Sequence, residues 1–291
     1  MLCNQCPRHC SAVREAQCPG GFCAMPGLPV VARAALHQWE EPPLSGTRGA
    51  GTVFFSGCNL RCVFCQNSVI SQEGYGRPVT VRRLREIFHE LIVQGAHNID
   101  LVTPGHFAHA VLEALEEPLP VPVVWNSGGY DTVETLQKLD GKAQIYLPDL
   151  KYLDSARAER YSAAPDYPEV ARAAIREMFR QVGPVELDAD GIMKHGVIIR
   201  HLILPGGLNE AKNVMDWVAE EFSPGEVLFS LMSQYVPLGR AAQFPEINRQ
   251  LRKSERRSAV EYMSALGLEG FFQDPESASG AYVPSFDLTG V

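Results

Sequence analysis

Long hydrophobic runs, an excess of basic residues and low-complexity segments are all absent from this sequence of 291 residues. No uninterrupted apolar stretch approaches the roughly 18–20 residues that cross a bilayer, and the first residues lack the apolar core of a secretory signal. The formal net charge of −8 gives no electrostatic footprint for phosphate. We therefore expect a cytoplasmic protein that has neither a membrane nor a nucleic-acid partner.

Cysteine is missing from everything after residue 65. All eight cysteines fall into two groups, one in residues 3–23 and the other in residues 58–65. In a chain without an export signal, this number of cysteines favours metal binding or catalysis in a reducing compartment over a disulfide scaffold.

Short apolar runs alternate with helical periodicity after about residue 50. Strands are predicted over residues 51–56, 98–103, 121–126, 143–149, 197–204 and 227–232. Helices are predicted over residues 80–94, 107–117, 131–139, 168–182, 209–222 and 254–266. Most of the strands are continuous apolar runs, which is typical of strands buried on both faces of a parallel sheet. The third helix opens with Asp131 and Glu134 at the spacing of a capping box.

This alternation predicts an α/β fold with a parallel sheet and helices outside it, either an open doubly wound sheet or an incomplete barrel. Both arrangements place functional residues at the carboxyl ends of the strands.

Residues 1–32 differ from the rest because they are rich in Cys, Pro and Gly and show little apolar periodicity. We interpret them as a small cysteine-rich metal-binding segment, since such a segment cannot build a core of its own. Residues 33–291 are then the core domain with its C-terminal tail.

The N-terminal cysteines supply enough sulfur for a four-coordinate metal site. We favour Cys3, Cys6, Cys10 and Cys23 as its ligands, with Cys18 as the alternative. Zinc would make the site a structural clip, and a second iron–sulfur cluster would add electron transfer.

The sequence GCNLRCVFCQN places Cys58, Cys62 and Cys65 in a polar loop directly after the first predicted strand. Buried free cysteine is one interpretation, but the loop is polar. Closed structural zinc needs four ligands, and no fourth thiol or histidine is nearby in sequence. An iron–sulfur cluster held by three cysteines leaves one iron open to a ligand.

Cys58-x-x-x-Cys62-x-x-Cys65 after the first strand resembles the signature of the radical S-adenosylmethionine (SAM) enzymes. Most of residues 33–291 resemble the pyruvate formate-lyase activating enzymes and their uncharacterised relatives. The resemblance implies a partial (β/α)6 TIM-like barrel in which the three cysteines hold a [4Fe–4S] cluster. It also implies that Phe64 and Asn67 contact SAM.

The same resemblance implies an oxidoreductase that cleaves SAM reductively to a 5′-deoxyadenosyl radical. The radical would abstract a hydrogen atom from a peptide, a protein or a small molecule, and a flavodoxin or ferredoxin would supply the electron. Activation of a glycyl radical enzyme is one such role. A zinc-stabilised binding module without catalysis is the alternative from another class.

Residues that follow the other strands complete the predicted site. Lys151 is expected to address the SAM carboxylate or the substrate backbone and is counted with the three loop cysteines as catalytic. Asp149 is expected to orient Lys151, and His201 to contact the ribose or methionine of SAM. The remaining expected cofactor contacts are Thr103, Asn126 and Ser127.

This chain departs from the activating enzymes at several places, and two of these departures bear on the substrate. A Gly-Gly-Glu motif that holds the methionine amino group in most of them is replaced here by TPGHF, so we expect Thr103 and the backbone around Gly105 to take its place. The extra cysteines precede the core, whereas many glycyl-radical activating enzymes carry theirs in an insert after the cluster loop. Both departures weaken the case for a glycyl radical partner.

Overall fold

The computed structural model describes residues 3–273 and 284–291. The strands in that part of the chain are β1 (Val30–His37), β2 (Ala50–Phe55), β3 (Arg77–Pro78), β4 (Ile99–Val102), β5 (Val123–Ser127), β6 (Ile145–Pro148), β7 (Glu186–Leu187), β8 (Met193–Leu202), β9 (Leu228–Met232) and β10 (Gly270–Phe272). The α-helices are α1 (Pro42–Ser45), α2 (Ser68–Ser71), α3 (Val81–Val93), α4 (Ala108–Ala114), α5 (Val133–Gln137), α6 (Ser155–Ser162), α7 (Tyr167–Val182), α8 (Leu208–Glu221) and α9 (Lys253–Leu266). All six predicted strands are present, as β2, β4, β5, β6, β8 and β9.

These six strands form a parallel sheet in which each strand lies beside the one that precedes it among them. A doubly wound sheet would instead reverse its strand order at a switch point, so the incomplete barrel is the confirmed alternative. β1 pairs antiparallel with β2 at one edge, and β10 pairs parallel with β9 at the other.

The helices form where the apolar stripe and the cap predict them. In α3, the Thr80 hydroxyl accepts a hydrogen bond from the Arg83 amide (3.1 Å) and so caps the first turn. Leu84, Phe88 and Leu91 lie on one face of the helix and are buried in the main core.

Alternate strand residues face opposite sides of the sheet. Residues such as Ile99 and Leu101 pack in the main core with the helices. The other side carries a smaller apolar cluster that includes Val124 and Ile198 and is joined by Leu44 of α1. The interior of the barrel is therefore closed by the connection between β1 and β2.

The predicted start of α5 is wrong. The helix begins at Val133, and the Thr132 hydroxyl caps it by accepting from the Thr135 amide (3.2 Å). Asp131 precedes the capping residue Thr132 and is buried. Burial raises the pKa of its carboxyl group to about 6. Its side chain faces Ser127 and Trp125 instead of the helix.

Residues 3–29 contain no helix or ladder strand and only isolated bridges such as Gly20 with Met25. The predicted boundary after residue 32 falls within β1, and the division of the chain at that point stays a prediction. Within residues 3–273 and 284–291, no helix has the length and apolarity needed to cross a membrane.

Candidate cluster and cofactor site

The loops that follow the parallel strands meet at one rim of the barrel. The cysteine loop follows β2, and Thr103 follows β4, where its amide donates to the Asn126 carbonyl of β5 (2.7 Å). A methyl group on Gly128, after β5, would contact both Leu60 of the cysteine loop and Lys151 after β6. The rim thus brings together residues that lie far apart in sequence.

Backbone hydrogen bonds to neighbouring segments hold the cysteine loop in place. The Arg61 amide donates to the Ser162 carbonyl (3.1 Å), and the Val63 amide donates to the Tyr161 carbonyl (2.8 Å), both at the end of α6. On the other side, the Arg240 amide donates to the Val63 carbonyl (2.7 Å). These contacts fix the spacing of the thiols independently of any bound group.

Each loop sulfur has a polar neighbour. The Leu60 amide donates to Cys58 Sγ (3.4 Å), Cys62 Sγ lies 3.0 Å from the Ser162 hydroxyl, and Cys65 Sγ lies 3.2 Å from the Ser71 hydroxyl. Hydrogen bonds to sulfur of this kind tune iron–sulfur clusters.

Two of the loop thiols, those of Cys58 and Cys65, are costly to ionise without a bound metal. Burial, with the adjacent Cys62 as a further cause, raises the pKa of Cys58 to about 12. Burial and Cys62 also raise the pKa of Cys65. Lys151 acts in the opposite direction on both thiols, so a cation already lies within electrostatic reach of the loop. Metal ions bind the thiolate form, and binding would release these protons.

The donor set fits an iron–sulfur cluster. It consists of three soft thiolates in one backbone-held loop, with a cation and hydrogen-bond donors around them. Among residues 3–273 and 284–291, no three His, Cys, Asp or Glu side chains form a group that could hold a metal ion as they stand. A single ion needs its donors converged on one point, whereas a cluster binds each thiolate at a different iron.

Lys151 and Asp149 form the predicted pair, with 2.5 Å between Lys151 Nζ and Asp149 Oδ2. The second oxygen of Asp149 accepts from Arg200 Nε (2.9 Å). Burial alone would raise the pKa of Asp149, but Lys151 and Arg200 outweigh it and lower that pKa. Burial would likewise lower the pKa of Lys151, and Asp149 reverses the sign. Both groups are therefore ionised at neutral pH.

Arg200 extends this pair into the barrel interior. Its guanidinium also donates to Glu40 Oε1 (3.1 Å) and to Asn126 Oδ1 (2.7 Å), and the Asn126 amide group lies 3.2 Å from Glu40 Oε2. The Asn126 side chain is thus engaged by Arg200 and Glu40 in the interior. We call Glu40, Asn126, Asp149, Lys151 and Arg200 the interior polar network.

Two further acids lie beside this network, and we did not predict them as site residues. Glu41 accepts from the Ser230 hydroxyl (2.8 Å), and burial raises its pKa to about 7. Asp100 is fully buried and accepts from the Thr52 hydroxyl (3.1 Å), while its other oxygen has no partner in the described residues. Burial and the nearby Glu40 raise the pKa of Asp100 well above its usual value. A lone carboxylate inside an apolar run such as NIDLV was the available signal.

Of the other predicted cofactor contacts, His201 lies beside Lys151, whereas the Ser127 side chain is engaged elsewhere. His201 Nδ1 donates to the Leu150 carbonyl (2.7 Å), and burial lowers the pKa of His201 to about 4, so the ring is neutral. It lines a small pocket together with Lys151. The Ser127 hydroxyl faces away from the interior and accepts from the Gly129 amide (3.1 Å).

Two residues of the cysteine loop were also predicted to contact SAM. Phe64 is buried edge-on against Tyr235, with 5.9 Å between ring centroids. Asn67 is half-buried, and its carbonyl accepts from the amides of Ile70 and Ser71 at the start of α2. Their roles toward SAM stay predictions.

The sequence of this chain is similar to one protein family and to one curated relative. Residues 45–149 match the family described as a 4Fe-4S single cluster domain. Over 278 residues the chain is 29% identical to the uncharacterized protein MJ0674 of Methanocaldococcus jannaschii, a match that covers 92% of this chain and 75% of that protein.

Two solved structures share the fold. Methylornithine synthase (PylB) aligns with a TM-score of 0.52 and 16% identity over 82% of this chain and 65% of its own, so this chain spans just under two thirds of that length. A spore photoproduct lyase mutant aligns with a TM-score of 0.51 and 13% identity over 79% of this chain and 78% of its own. These likenesses confirm the predicted partial barrel, and the family match, which contains Cys58, Cys62 and Cys65, implies a [4Fe–4S] cluster as cofactor.

Proposed function

We propose that the protein is a radical SAM enzyme in which Cys58, Cys62 and Cys65 ligate the catalytic [4Fe–4S] cluster. When bound, the cluster would supply one electron to cleave SAM into methionine and a 5′-deoxyadenosyl radical, which abstracts a hydrogen atom from the substrate. The observation that carries the proposal is the backbone-held loop of three thiols at the barrel rim, inside the segment that matches a 4Fe-4S single cluster domain.

The chain's own residues would bind and orient the reactants. Lys151 lies close enough to Cys58 and Cys65 to oppose the burial that raises their pKa, and its ammonium group suits a carboxylate of SAM. Asp149 holds Lys151 from one side, and Arg200 holds Asp149 from the other. Neutral His201 would offer one ring nitrogen to a hydroxyl group of SAM, because its Nδ1 is occupied by the Leu150 carbonyl.

The interior polar network would face the substrate. Arg200 and Glu40 are nearly buried, and their charges compensate each other, so the barrel interior is polar without a large net charge. A substrate that enters it would meet amide, carboxyl and guanidinium groups. We therefore propose a polar substrate, such as a peptide segment or a polar small molecule.

The test is SAM cleavage by the anaerobically reconstituted protein with dithionite as reductant. We expect 5′-deoxyadenosine from the wild type and from Cys18→Ser, whose thiol is exposed and outside the loop. We expect none from Cys58→Ala. Equal 5′-deoxyadenosine formation by Cys58→Ala and the wild type would exclude the proposal.

The choice of substrate needs a second experiment. Incubation with SAM, reductant and a candidate glycyl radical enzyme, followed by electron paramagnetic resonance, gives a glycyl doublet if this protein is an activating enzyme. Absence of the doublet with an active SAM cleavage assay would favour a different peptide or small molecule.

The rival function, a zinc-stabilised binding module, makes an opposite prediction for metal content. It requires a colourless protein that carries zinc at both cysteine groups and iron at neither. Metal analysis and an absorption spectrum of anaerobically purified protein separate the two.

A further inference from the structure

The N-terminal cysteines form a second group of thiols beside the rim. Cys3, Cys6 and Cys23 are buried, although residues 3–29 contain no regular secondary structure beyond isolated bridges. The segment folds back on itself, because the Cys3 amide donates to the Ala12 carbonyl (3.0 Å) and the Gly20 amide donates to the Met25 carbonyl (3.1 Å). The thiols of Cys3, Cys6 and Cys23 are therefore buried within one small folded segment.

Cys10 joins this group at its exposed edge. Its Sγ lies so close to Gly21 that a Cβ at that position would be only 2.8 Å away, and Gly21 has a φ of +72°. The turn at Gly21 thus brings Cys23 back toward Cys10. Cys18 is exposed, in contrast to the buried Cys3, Cys6 and Cys23.

The segment docks directly on the cysteine loop of the catalytic site. Arg8 Nε donates to the Asn59 carbonyl (2.7 Å), and in return Arg61 donates to the Phe22 carbonyl (2.6 Å). The Arg8 guanidinium also lies over the Phe22 ring, 3.8 Å from its centroid, and 5.0 Å from that of Tyr130. Two arginines thereby cross between the segments that carry the two cysteine groups.

A second set of contacts joins the segment to the start of the cysteine loop. Arg14 is buried and donates to the carbonyls of His106 (2.5 Å) and Pro26 (3.1 Å), and its Nη1 lies 3.6 Å from Cys3 Sγ. His106 Nε2 lies 2.7 Å from the Ser56 carbonyl, immediately before the loop. Hydrogen bonds therefore connect the N-terminal segment, through His106, to the residue that precedes the cysteine loop.

We propose that Cys3, Cys6, Cys10 and Cys23 bind one thiophilic metal centre of their own, zinc or an iron–sulfur cluster. We further propose that this centre holds the N-terminal segment against the cysteine loop and so protects the catalytic cluster. The first part concerns a site separate from the proposed catalytic cluster, and only the second part rests on the proposed function.

The N-terminal segment needs a metal centre because it has no hydrophobic core of its own. A segment of this size needs a staple to stay ordered, and buried thiols ionise readily only when a metal compensates their charge. Four sulfur ligands suit both zinc and a [4Fe–4S] cluster. Like the loop cysteines, these thiols do not converge as they stand, so binding requires side-chain rotation.

Metal content of a protein without the catalytic ligands tests the first part. In a variant that combines Cys58→Ala, Cys62→Ala and Cys65→Ala, we expect about one zinc or about four irons to remain per chain. The zinc form is colourless, and the iron form is brown. X-ray absorption at the metal edge should show sulfur ligands only, at about 2.3 Å for zinc.

Matched serine variants in that same background assign the ligands. Adding Cys6→Ser should remove the metal, and adding Cys18→Ser should leave it in place. The proposal is wrong if the loop variant carries no metal above background, or if Cys18→Ser removes the metal as effectively as Cys6→Ser. Because these outcomes are measured as metal content alone, they are independent of the proposed function.

The second part is tested with Arg8→Ala in the otherwise native chain. We expect the N-terminal metal to be retained while a chelator removes iron from the catalytic cluster about tenfold faster, as for other losses of support around a metal site. Arg82→Ala, an exposed arginine of α3 that pairs with Glu86, is the control and should match the wild type. Equal rates for Arg8→Ala and the wild type would overturn this part.

Discussion

Thr103 shows how a single residue marks the candidate site. Its φ of +60° lies in the left-handed region that favours glycine, which is unusual for a β-branched residue. Such a conformation costs roughly 1–2 kcal/mol, and strain of this kind clusters at functional sites. The backbone there is fixed by the hydrogen bond from the Thr103 amide to the Asn126 carbonyl. We infer that the side chain is kept for its hydroxyl group.

Substitution of Thr103 separates backbone strain from cofactor binding. Thr103→Gly relieves the strain and should leave the free energy of unfolding unchanged or slightly higher, while SAM binding weakens about tenfold through loss of a hydrogen bond to a charged group. Thr103→Ser keeps the hydroxyl and should bind SAM like the wild type. Calorimetric titration with SAM measures the affinity of both variants. Unchanged affinity in Thr103→Gly would contradict the predicted contact.

Glu41 predicts a pH dependence of stability. Its pKa rises from the usual 4.5 to about 7 in the folded protein because the carboxyl group is buried. Between these two pH values the folded chain keeps a proton that the unfolded chain releases, so the free energy of unfolding falls as pH rises and levels off above pH 7. The full loss is about 3 kcal/mol.

Glu41→Gln isolates this contribution, because glutamine stays neutral and can still accept from the Ser230 hydroxyl. Anaerobic denaturant titrations at several pH values should show a smaller fall in stability for Glu41→Gln than for the wild type between about pH 4.5 and 7. Identical slopes for the two proteins would mean that Glu41 ionises normally.

At the scale of helices and strands, the sequence predicted the parallel sheet and missed its edges. The six central strands are continuous apolar runs, so burial on both faces identifies them. β1 contains three alanines in eight residues and is set by its antiparallel partners β2 and β3, which local sequence does not reveal. α6 was missed because it is mostly polar, although Asp154 caps it with two hydrogen bonds.

Gly57, which opens the cysteine loop, provides a test at this scale. It has a φ of +80°, and a Cβ there would lie 2.3 Å from Met25 Cγ of the N-terminal segment. Gly141 has a similar φ of +75° with no atom near its Cβ position. Gly141→Ala should therefore cost only the backbone strain, about 1–2 kcal/mol, and should keep the cluster.

Gly57→Ala carries the same strain and a steric clash in addition. We expect it to destabilise the protein more than Gly141→Ala and to lower the iron content after reconstitution. Thermal unfolding and iron analysis of the two variants, side by side, measure the difference. Equal stability and equal iron content would show that the N-terminal segment does not press on the loop.

At the scale of the whole molecule, the sequence identified residues at the rim better than residues in the interior. Cys58, Cys62, Cys65 and Lys151 could be predicted because a motif or a strand end marks each of them. Asn126 and Asp149 were also expected at the site, but their contacts with Arg200 and Glu40 could not be predicted, since these side chains come from the connection after β1 and from β5, β8 and the end of β6. Only the pairing of strands brings these side chains into contact.

Arg200 joins these parts of the barrel and is the residue on which their packing depends. Its side chain is only 15% exposed, and removal of its charge leaves Glu40 and Asp149 buried without their common partner. We expect Arg200→Met to lower the free energy of unfolding by about 3–5 kcal/mol. Adding Glu40→Gln should recover part of that loss, because the two positions interact directly.

Arg176 offers the matched control. It forms a comparable pair with Glu221 (2.5 Å), but its side chain is 51% exposed. Arg176→Met should therefore cost less than about 1 kcal/mol. Denaturant titrations of the single variants and of the Arg200→Met, Glu40→Gln combination give the comparison. If Arg200→Met costs no more than Arg176→Met, the buried pairs of Arg200 stabilise the protein no more than an exposed pair does, and the barrel does not depend on the interior polar network.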